Sequence, residues 1–401
     1  MHKKATIILI CVSCAYLLVY FHRISPTVFL KSISEDMNIT NLSEYSKWTS
    51  AYFFANAIGQ LIIGPLLDGY SPIFIFILSQ IISCLGTITI ALTNSVDVSA
   101  VGRALTGFSA ATTFIPALYI IERLYDDQFN WANTVVFTFG GLGAILSSTP
   151  LAILEEYIHW RTIMIVLFVI SVFLLIFFVY ASKNLRFEEK EKQSVRFIVS
   201  IKKLFSNRNY FVLFIWMISN TSHFYVLLLF LFEFIEDFYD IDDYVSWALT
   251  AYSSCLLWGS YLAAVLHKVM GTRVLLVSAQ ILGIFCVSLL YFIDNLSNFV
   301  FLLCGILAFV LSPIQSAVFS SLRKFTDKEM MGVSFAFCNL GTFIGAWIFQ
   351  RIGGWIITRA DRQRYGYQQL FIFVGGTLLF STLISLLYDN KKEKKSIVIP
   401  L

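Results

Sequence analysis

The chain has 401 residues, of which 58% are hydrophobic and only 13% are charged, with a formal net charge of +4. Soluble domains carry about a quarter charged residues, so this composition, with a mean hydropathy of +0.75, leaves no room for a sizeable soluble domain. All seven cysteines fall inside apolar runs and lack the spacing of a metal site or of extracellular disulfides. The composition therefore predicts an all-α integral membrane protein.

Twelve apolar runs reach the length of about 20 residues that a helix needs to cross a bilayer. They are predicted over 6–30, 46–67, 72–92, 98–121, 131–151, 162–181, 209–234, 245–266, 273–292, 298–321, 331–350 and 368–388. A basic stretch separates the sixth run from the seventh. We therefore expect an N-terminal six-helix half over 1–182, a cytoplasmic linker over 183–208 and a C-terminal six-helix half over 209–401.

The two predicted halves resemble each other at an offset of about two hundred residues. Arg123 recurs as Arg323, and His22 in the first span is matched by His223 in the seventh. Two pseudo-symmetric six-helix bundles of this kind are typical of solute carriers, whose binding site lies between the halves near the bilayer midplane. The repeat therefore predicts transport.

Lys and Arg are distributed unevenly between the two predicted sides of the membrane. With the N-terminus inside, inner segments hold 20 of these residues and outer segments hold seven. The bias predicts cytoplasmic N- and C-termini, and the short loops favour a bacterial inner membrane. The basic linker 183–208 is predicted to lie on anionic lipid and not to bind nucleic acid.

The inner loop between spans two and three, GPLLDGYSP from Gly64 to Pro72, resembles the Gly-x-Leu-x-Asp-Arg-x-Gly-Arg motif of the major facilitator superfamily. The chain is similar to that superfamily over essentially its full length. The resemblance implies its fold, with spans one, four, seven and ten lining a central cavity. It also implies that Gly64 allows a close helix approach and that Asp68 locks the inner gate. Lys268 occupies the corresponding place in the second half, so an Asp68–Lys268 pair is a predicted element of that gate.

Two arginines lie inside predicted spans, where a central Arg costs about 2.5–3.5 kcal/mol on insertion scales. Arg23 and Arg103 are both expected roughly 8–11 Å below the outer surface, and Arg103 begins an Arg-x-x-x-Gly pattern that resembles the superfamily's buried-arginine motif. Two guanidiniums at one depth predict a site for a carboxylate or phosphate. Alternatively, they bond backbone carbonyls and serve packing. Glu233, the one carboxylate within a predicted span, is a candidate outer-gate residue.

The in-span histidines are the candidate proton carriers. His22 or His223 could carry a coupling proton or orient substrate, since histidine titrates near physiological pH; alternatively, each is a neutral imidazole held by a hydroxyl. Polar side chains on the cavity helices complete the predicted substrate-binding set: Tyr119, Asn220, Tyr225 and Gln315.

The sequence contains no nucleotide-binding GxxxxGK loop, no HExxH and no plausible Ser-His-Asp set. We therefore expect neither an enzyme nor a cofactor, and transport driven by solute or proton gradients. The prediction is a monomeric secondary transporter of a small carboxylate-bearing solute. Two alternatives are an importer or exporter of a carboxylate siderophore or another amphipathic compound, and a carrier-like solute sensor.

Overall fold

The computed structural model describes residues 2–125, 128–183, 185, 197–238, 245–292, 299–326, 330–361 and 363–390. Throughout these ranges the regular structure is helical, and no strand occurs among the described residues. Within the second span of the bundle, the side chain of Asp68 and the surroundings of Gly64 lie outside the described set.

The first part of the chain forms eight helices that make six predicted spans. They are α1 (His2–Val28), α2 (Leu30–Asp36), α3 (Leu42–Gly69), α4 (Pro72–Leu92), α5 (Val96–Tyr125), α6 (Phe129–Leu146), α7 (Thr149–Glu155) and α8 (Trp160–Ser182). Local chemistry sets several starts. The Asn41 side chain accepts from the Glu44 N–H to cap α3, and Ser71 caps α4 with Pro72 at its first turn. Helices α6 and α7 follow each other with a bend of 44°.

The second part repeats this plan. It contains α9 (Phe197–Phe205), α10 (Arg208–Trp216), α11 (Ser222–Phe238), α12 (Val245–Phe292), α13 (Val300–Leu311), α14 (Gln315–Leu322), α15 (Met331–Arg359) and α16 (Arg364–Ser385). A π-helical turn over Met217–Thr221 joins α10 to α11. Helix α9 lies inside the predicted linker.

Nine of the described helical stretches are long and apolar enough to cross a membrane, or ten if α6 and α7 count as one span. Helix α12 has 48 residues but is kinked at Gly271, whose φ is +73°, so its two arms correspond to the predicted spans eight and nine. Helix α3, with 28 residues, is the predicted span two. The predicted all-helical membrane fold is confirmed.

The predicted C-terminal end of the eleventh span is wrong. The eleventh span is expected to end at residue 350, yet α15 continues to Arg359, so the exposed Arg351 lies inside a helix and not in a loop. The helix is extended because its last turns pack against α3. A Cβ added at Gly354 would lie 2.2 Å from the Ser46 Oγ, so only glycine permits this approach.

The internal repeat is visible in one matched hydrogen bond. The Tyr52 hydroxyl of α3 donates to the Val19 carbonyl of α1 at 3.5 Å, and the Tyr252 hydroxyl of α12 donates to the Phe224 carbonyl of α11 at 2.9 Å. Each half therefore ties its second span to its first span in the same way.

We call the end of the bundle with the connections 37–41, 93–95 and 156–159 the loop face, and the opposite end the terminal face. At the loop face the halves meet through polar contacts between α3 and α15 and between α7 and α12. The Ser43 N–H donates to Thr358 Oγ1 at 2.9 Å, and Thr149 bonds Thr250 Oγ1 and the Ser246 carbonyl at 2.7 Å each. The conformation is therefore closed on the loop face.

Candidate functional site

Arg23 lies near the loop-face end of α1, where it is half-buried. Its Nη1 donates to the Tyr225 hydroxyl of α11 at 3.1 Å, so it connects the first span to the seventh. Four rings surround the guanidinium carbon, with centroids at 4.7 Å for Tyr20, 5.3 Å for Phe343, 5.6 Å for Tyr225 and 5.8 Å for Tyr52. These distances are in the range of cation–π attraction. We call these four rings the aromatic cage.

The aromatic cage contacts the Arg23 guanidinium but contributes no negative charge to neutralise it. The Arg23 Nε is buried and has no hydrogen-bond partner among the described residues. No carboxylate pairs with Arg23 in the described part of the chain. A guanidinium carries five N–H donors, and the neutral Tyr225 hydroxyl accepts one of them. The geometry therefore presents a cation with unused donors.

Arg103, in α5, lies on the other side of this site, next to Tyr52. It is 1% exposed, and its Nη1 donates to the His22 backbone carbonyl at 2.6 Å. Its guanidinium carbon lies 5.1 Å from the Trp48 ring and 4.9 Å from the Tyr52 ring. The structure thus brings both predicted arginines to Tyr52. In this conformation, however, Arg103 has the carbonyl bond that the packing alternative describes, and only Arg23 is accessible.

The Arg-x-x-x-Gly pattern has a steric basis. A Cβ added at Gly107 would lie 2.1 Å from the Tyr52 carbonyl oxygen, so α5 contacts the α3 backbone directly at this point. Gly107 therefore sets the approach that places Arg103, one turn away, against the Tyr52 ring.

The two histidines face neighbours within their own halves. His22 Nε2 lies 3.1 Å from Thr87 Oγ1 in α4, and His223 Nε2 lies 2.6 Å from Thr377 Oγ1 in α16. Both are buried, at 2% and 0% exposure. The hydroxyl-bonded arrangement considered from the sequence is therefore present, with hydroxyls supplied by α4 and α16. The π-helical turn immediately before His223 interrupts the α-helical register of the seventh span.

The other predicted binding residues occupy different levels of the bundle. Asn220, in the π-helical turn, donates to the Val310 and Leu311 carbonyls at 2.7 and 3.2 Å, which ties the seventh span to the tenth. Gln315 donates to Asn339 Oδ1 at 2.9 Å. Tyr119 is 39% exposed and lies closer to the terminal face. Of the predicted set, only Arg23 and Tyr225 are in direct contact within the cage.

The predicted gate residues are only partly described. The side chain of Asp68 and the surroundings of Gly64 lie outside the described residues, and Lys268 is exposed beside the kink of α12. Glu233 is buried at 6% exposure in α11, on the loop-face side of Tyr225. Their gating roles stay predictions.

Sequence reasoning missed a polar seal on the loop face. Gln350 of α15 donates to the Tyr225 carbonyl at 2.9 Å and accepts from Thr49 Oγ1 at 3.2 Å, so it joins three helices from both halves. We call Thr49, Gln350, Thr149 and Thr250 the loop-face seal. A salt bridge between Lys31 and Glu236 lies outside it, at the surface. Gln350 is the last residue of the predicted eleventh span, and this polar side chain at the end of an apolar run was the signal that the sequence offered.

Comparisons with known proteins agree with this architecture. A sequence profile of the Major Facilitator Superfamily matches residues 9–242 and 236–398. An "Uncharacterized transporter" of Buchnera aphidicola subsp. Schizaphis graminum (strain Sg) is 33% identical over 150 residues, which is 35% of this chain and 35% of that protein. The match thus spans about a third of that relative's length.

Solved structures show the same fold. A bacterial homologue of the human lysosomal transporter Spinster, inward-facing and unoccupied, has a TM-score of 0.73 at 14% identity and covers 99% of this chain and 100% of its own. A variant of the nucleoside transporter NupG has a TM-score of 0.75 at 12% identity, with 95% and 100% coverage. At such identities the likeness concerns the fold alone.

Proposed function

Because the chain belongs to the major facilitator superfamily, whose members are transporters of small solutes, we propose that it moves a small carboxylate-bearing anion across a bacterial inner membrane by alternating access. One observation carries this proposal. Arg23 is a half-buried cation between the halves, with a buried Nε that has no partner among the described residues. A carboxylate would fit its planar fork through two parallel hydrogen bonds.

The surroundings of Arg23 favour an anion over a neutral solute. A charge inside a membrane protein is costly unless it is paired, and the cage supplies rings and one neutral hydroxyl. A bound carboxylate would make stronger, charge-assisted hydrogen bonds to Arg23 and would compete with the Tyr225 hydroxyl for the guanidinium. The largest share of the substrate's binding free energy would thus arise at Arg23, where the two halves meet.

Competition between the ligand and Tyr225 for Arg23 suggests how ligand binding is linked to opening of the loop face. Tyr225 bonds Arg23 through its hydroxyl, and its carbonyl accepts from Gln350, which is also bonded to Thr49. When an anion takes Arg23 from Tyr225, α11 loses one of the contacts that hold the loop face closed. We propose that the halves 1–182 and 209–401 then rock apart on this face, while Asp68 and Lys268 help to close the other face.

The predicted charge bias places the loop face outside and both termini in the cytoplasm, so the described conformation would be open to the cytoplasm. Protons are the candidate coupling ion, with His22 and His223 as the titratable groups. Because both imidazoles bond threonine hydroxyls away from the cage, we expect their influence on Arg23 to be indirect.

The test is uptake by the full chain reconstituted into liposomes. The probes are radiolabelled lactate, glutamate, citrate and 5-phenylpentanoate, with uridine as an uncharged comparison. We expect uptake of at least one carboxylate, lost in Arg23→Ala and retained in Arg351→Gln, which removes an exposed arginine of α15. Uptake of uridine alone, or carboxylate uptake that persists in a well-inserted Arg23→Ala protein, would contradict the anion site.

A further inference from the structure

Building on the proposed function, we infer that the substrate is a monoanionic carboxylate with an extended apolar or aromatic body, and not a di- or tricarboxylate. Two independent features lead to this inference. One is the number of cations that a ligand at Arg23 can touch, and the other is a row of rings that leads away from Arg23.

A ligand in this conformation can reach one arginine. Arg23 is half-buried, whereas Arg103 is 1% exposed behind the Tyr52 ring and bonded to a backbone carbonyl. In this conformation Arg103 can therefore contribute to the electrostatic potential at Arg23, but it cannot contact a ligand. A second carboxylate of a bound solute would have no cationic partner in the cage, and a buried unpaired charge is strongly unfavourable.

A row of aromatic side chains starts at the cage and runs toward the terminal face. Tyr20 packs edge-on against Tyr16 at 5.3 Å, Tyr16 stacks on Phe114 at 4.9 Å and 24°, and Phe114 meets Phe137 at 5.5 Å. We call Tyr20, Tyr16, Phe114 and Phe137 the aromatic ladder. It is built from α1, α5 and α6, which all belong to the N-terminal half.

The far end of the ladder faces the space between the halves. Gly141 of α6 is in contact with Leu257 of α12, since an added Cβ would lie 2.8 Å from its Cδ1. Phe137 lies four residues earlier, on the same face of α6. It is 46% exposed, so the C-terminal half does not cover it. The ladder therefore runs from Arg23 toward the terminal face, and its far end lies on the side of the N-terminal half that meets α12.

These features together define a ligand with one charged end. Its carboxylate would bond Arg23, and its apolar body would lie along the ladder, where removal from water is favourable. Small hydrophilic carboxylates would leave the ladder uncovered. Dicarboxylates and citrate-type compounds would place a second negative charge beside the aromatic rings of the cage and ladder, where it would have no cationic partner.

Four matched probes test the inference on the full-length, detergent-purified chain. They are 5-phenylpentanoate, its uncharged amide, pentanoate, which lacks the ring, and (3-phenylpropyl)malonate, which adds a second carboxylate to the same carbon. Affinity is measured by titration calorimetry and by the shift in unfolding midpoint, because a ligand that binds the folded state raises that midpoint by mass action. We expect 5-phenylpentanoate to bind at least tenfold more tightly than each of the other three.

Two variants assign the binding to the proposed groups. Arg23→Gln should abolish the preference for the acid over the amide. Phe114→Ala should weaken 5-phenylpentanoate at least threefold while leaving pentanoate unchanged, and Phe173→Ala, which truncates a 57% exposed ring of α8, should change neither. If Phe114→Ala unfolds, Phe114→Leu keeps the bulk and still removes the ring.

The outcomes separate this inference from the proposed function. Equal or tighter Arg23-dependent binding of (3-phenylpropyl)malonate or citrate would overturn the inference and leave the anion site in place. Failure of 5-phenylpentanoate to bind would also overturn it, while transport of another carboxylate would still support the proposed function. Binding of the amide as tightly as the acid, or binding unaffected by Arg23→Gln, would overturn both.

Discussion

Replacing Gln350 with leucine should favour opening of the loop face. Gln350 is 3% exposed and makes two hydrogen bonds: it accepts from Thr49 of the N-terminal half, and it donates to the Tyr225 carbonyl within its own half. Leucine has a similar volume, so the change removes the bonds while largely preserving the packing. The variant therefore measures the polar part of the loop-face seal.

The magnitude follows from the Thr49–Gln350 bond, because of the two bonds it is the one that crosses between the halves. A hydrogen bond contributes a net 0.5–1.5 kcal/mol, roughly, and more when a buried partner is left unsatisfied. Thr49 keeps a second acceptor, the Ser46 carbonyl at 3.2 Å, and the Gln350–Tyr225 bond is lost in both conformations, so its loss does not shift their balance. We therefore expect a shift of about 0.5–1.5 kcal/mol toward the loop-face-open state, which is about a 2–12-fold rise in its population.

Cysteine labelling reports this population. A cysteine introduced at Ser46, which is fully buried against α15, reacts only when the seal opens, so its labelling rate is proportional to the open fraction. A cysteine at the exposed Ser95 serves as the control for reagent access, and the parent chain corrects for its seven native cysteines. If Ser46→Cys is labelled at the same rate with and without the Gln350→Leu substitution, the proposed role of this seal is refuted.

Three further predictions concern the cation, the helix contact and the histidines. Arg23→Lys should lower carboxylate transport at least tenfold, because an ammonium cannot reproduce the planar fork; uptake kinetics in liposomes check this. Gly107→Ala should lower the unfolding midpoint, because its Cβ would clash with the α3 backbone, whereas Gly376→Ala, with nothing within 4 Å, should leave it unchanged or raise it. Proton-coupled flux should fall as the outside pH rises, because fewer protons are available to enter with the solute, and the double substitution of His22 and His223 by Gln should flatten that profile. An unchanged profile would leave uniport or anion exchange.

The helical membrane fold was predictable because its signals are local. Span length and apolar composition can be read in a window of about twenty residues, and the prediction that Arg23 marks the site depended on one charge within such a window. The extension of α15 was missed because it depends on a partner, since Gly354 contacts Ser46, which is distant in the sequence.

The aromatic cage and ladder could not be predicted for a different reason. The chain has 39 Phe and 19 Tyr, so rings that face lipid, pack between helices or surround a cation look alike in sequence. Arg103 and Arg23 are likewise both single charges within apolar runs, and the tertiary contact through Gly107 is what shows that Arg103 is enclosed. The direction that each histidine faces depends on helix rotation, which the π-helical turn alters.

Two cationic contacts between the halves, Lys31 with Glu236 and Arg23 with Tyr225, differ in how salt affects them. The Lys31–Glu236 pair has side-chain exposures of 63% and 36%, so added electrolyte screens it, with a Debye length of about 10 Å at 0.1 M. Arg23 is surrounded by rings and bonded to a neutral hydroxyl, so its contact with the other half involves no pair of opposite charges for electrolyte to screen. Raising the ionic strength should therefore weaken the rim of the loop face while leaving the inner contact intact. The ionic strength of the surrounding medium would thus tune how readily the rim of the loop face separates.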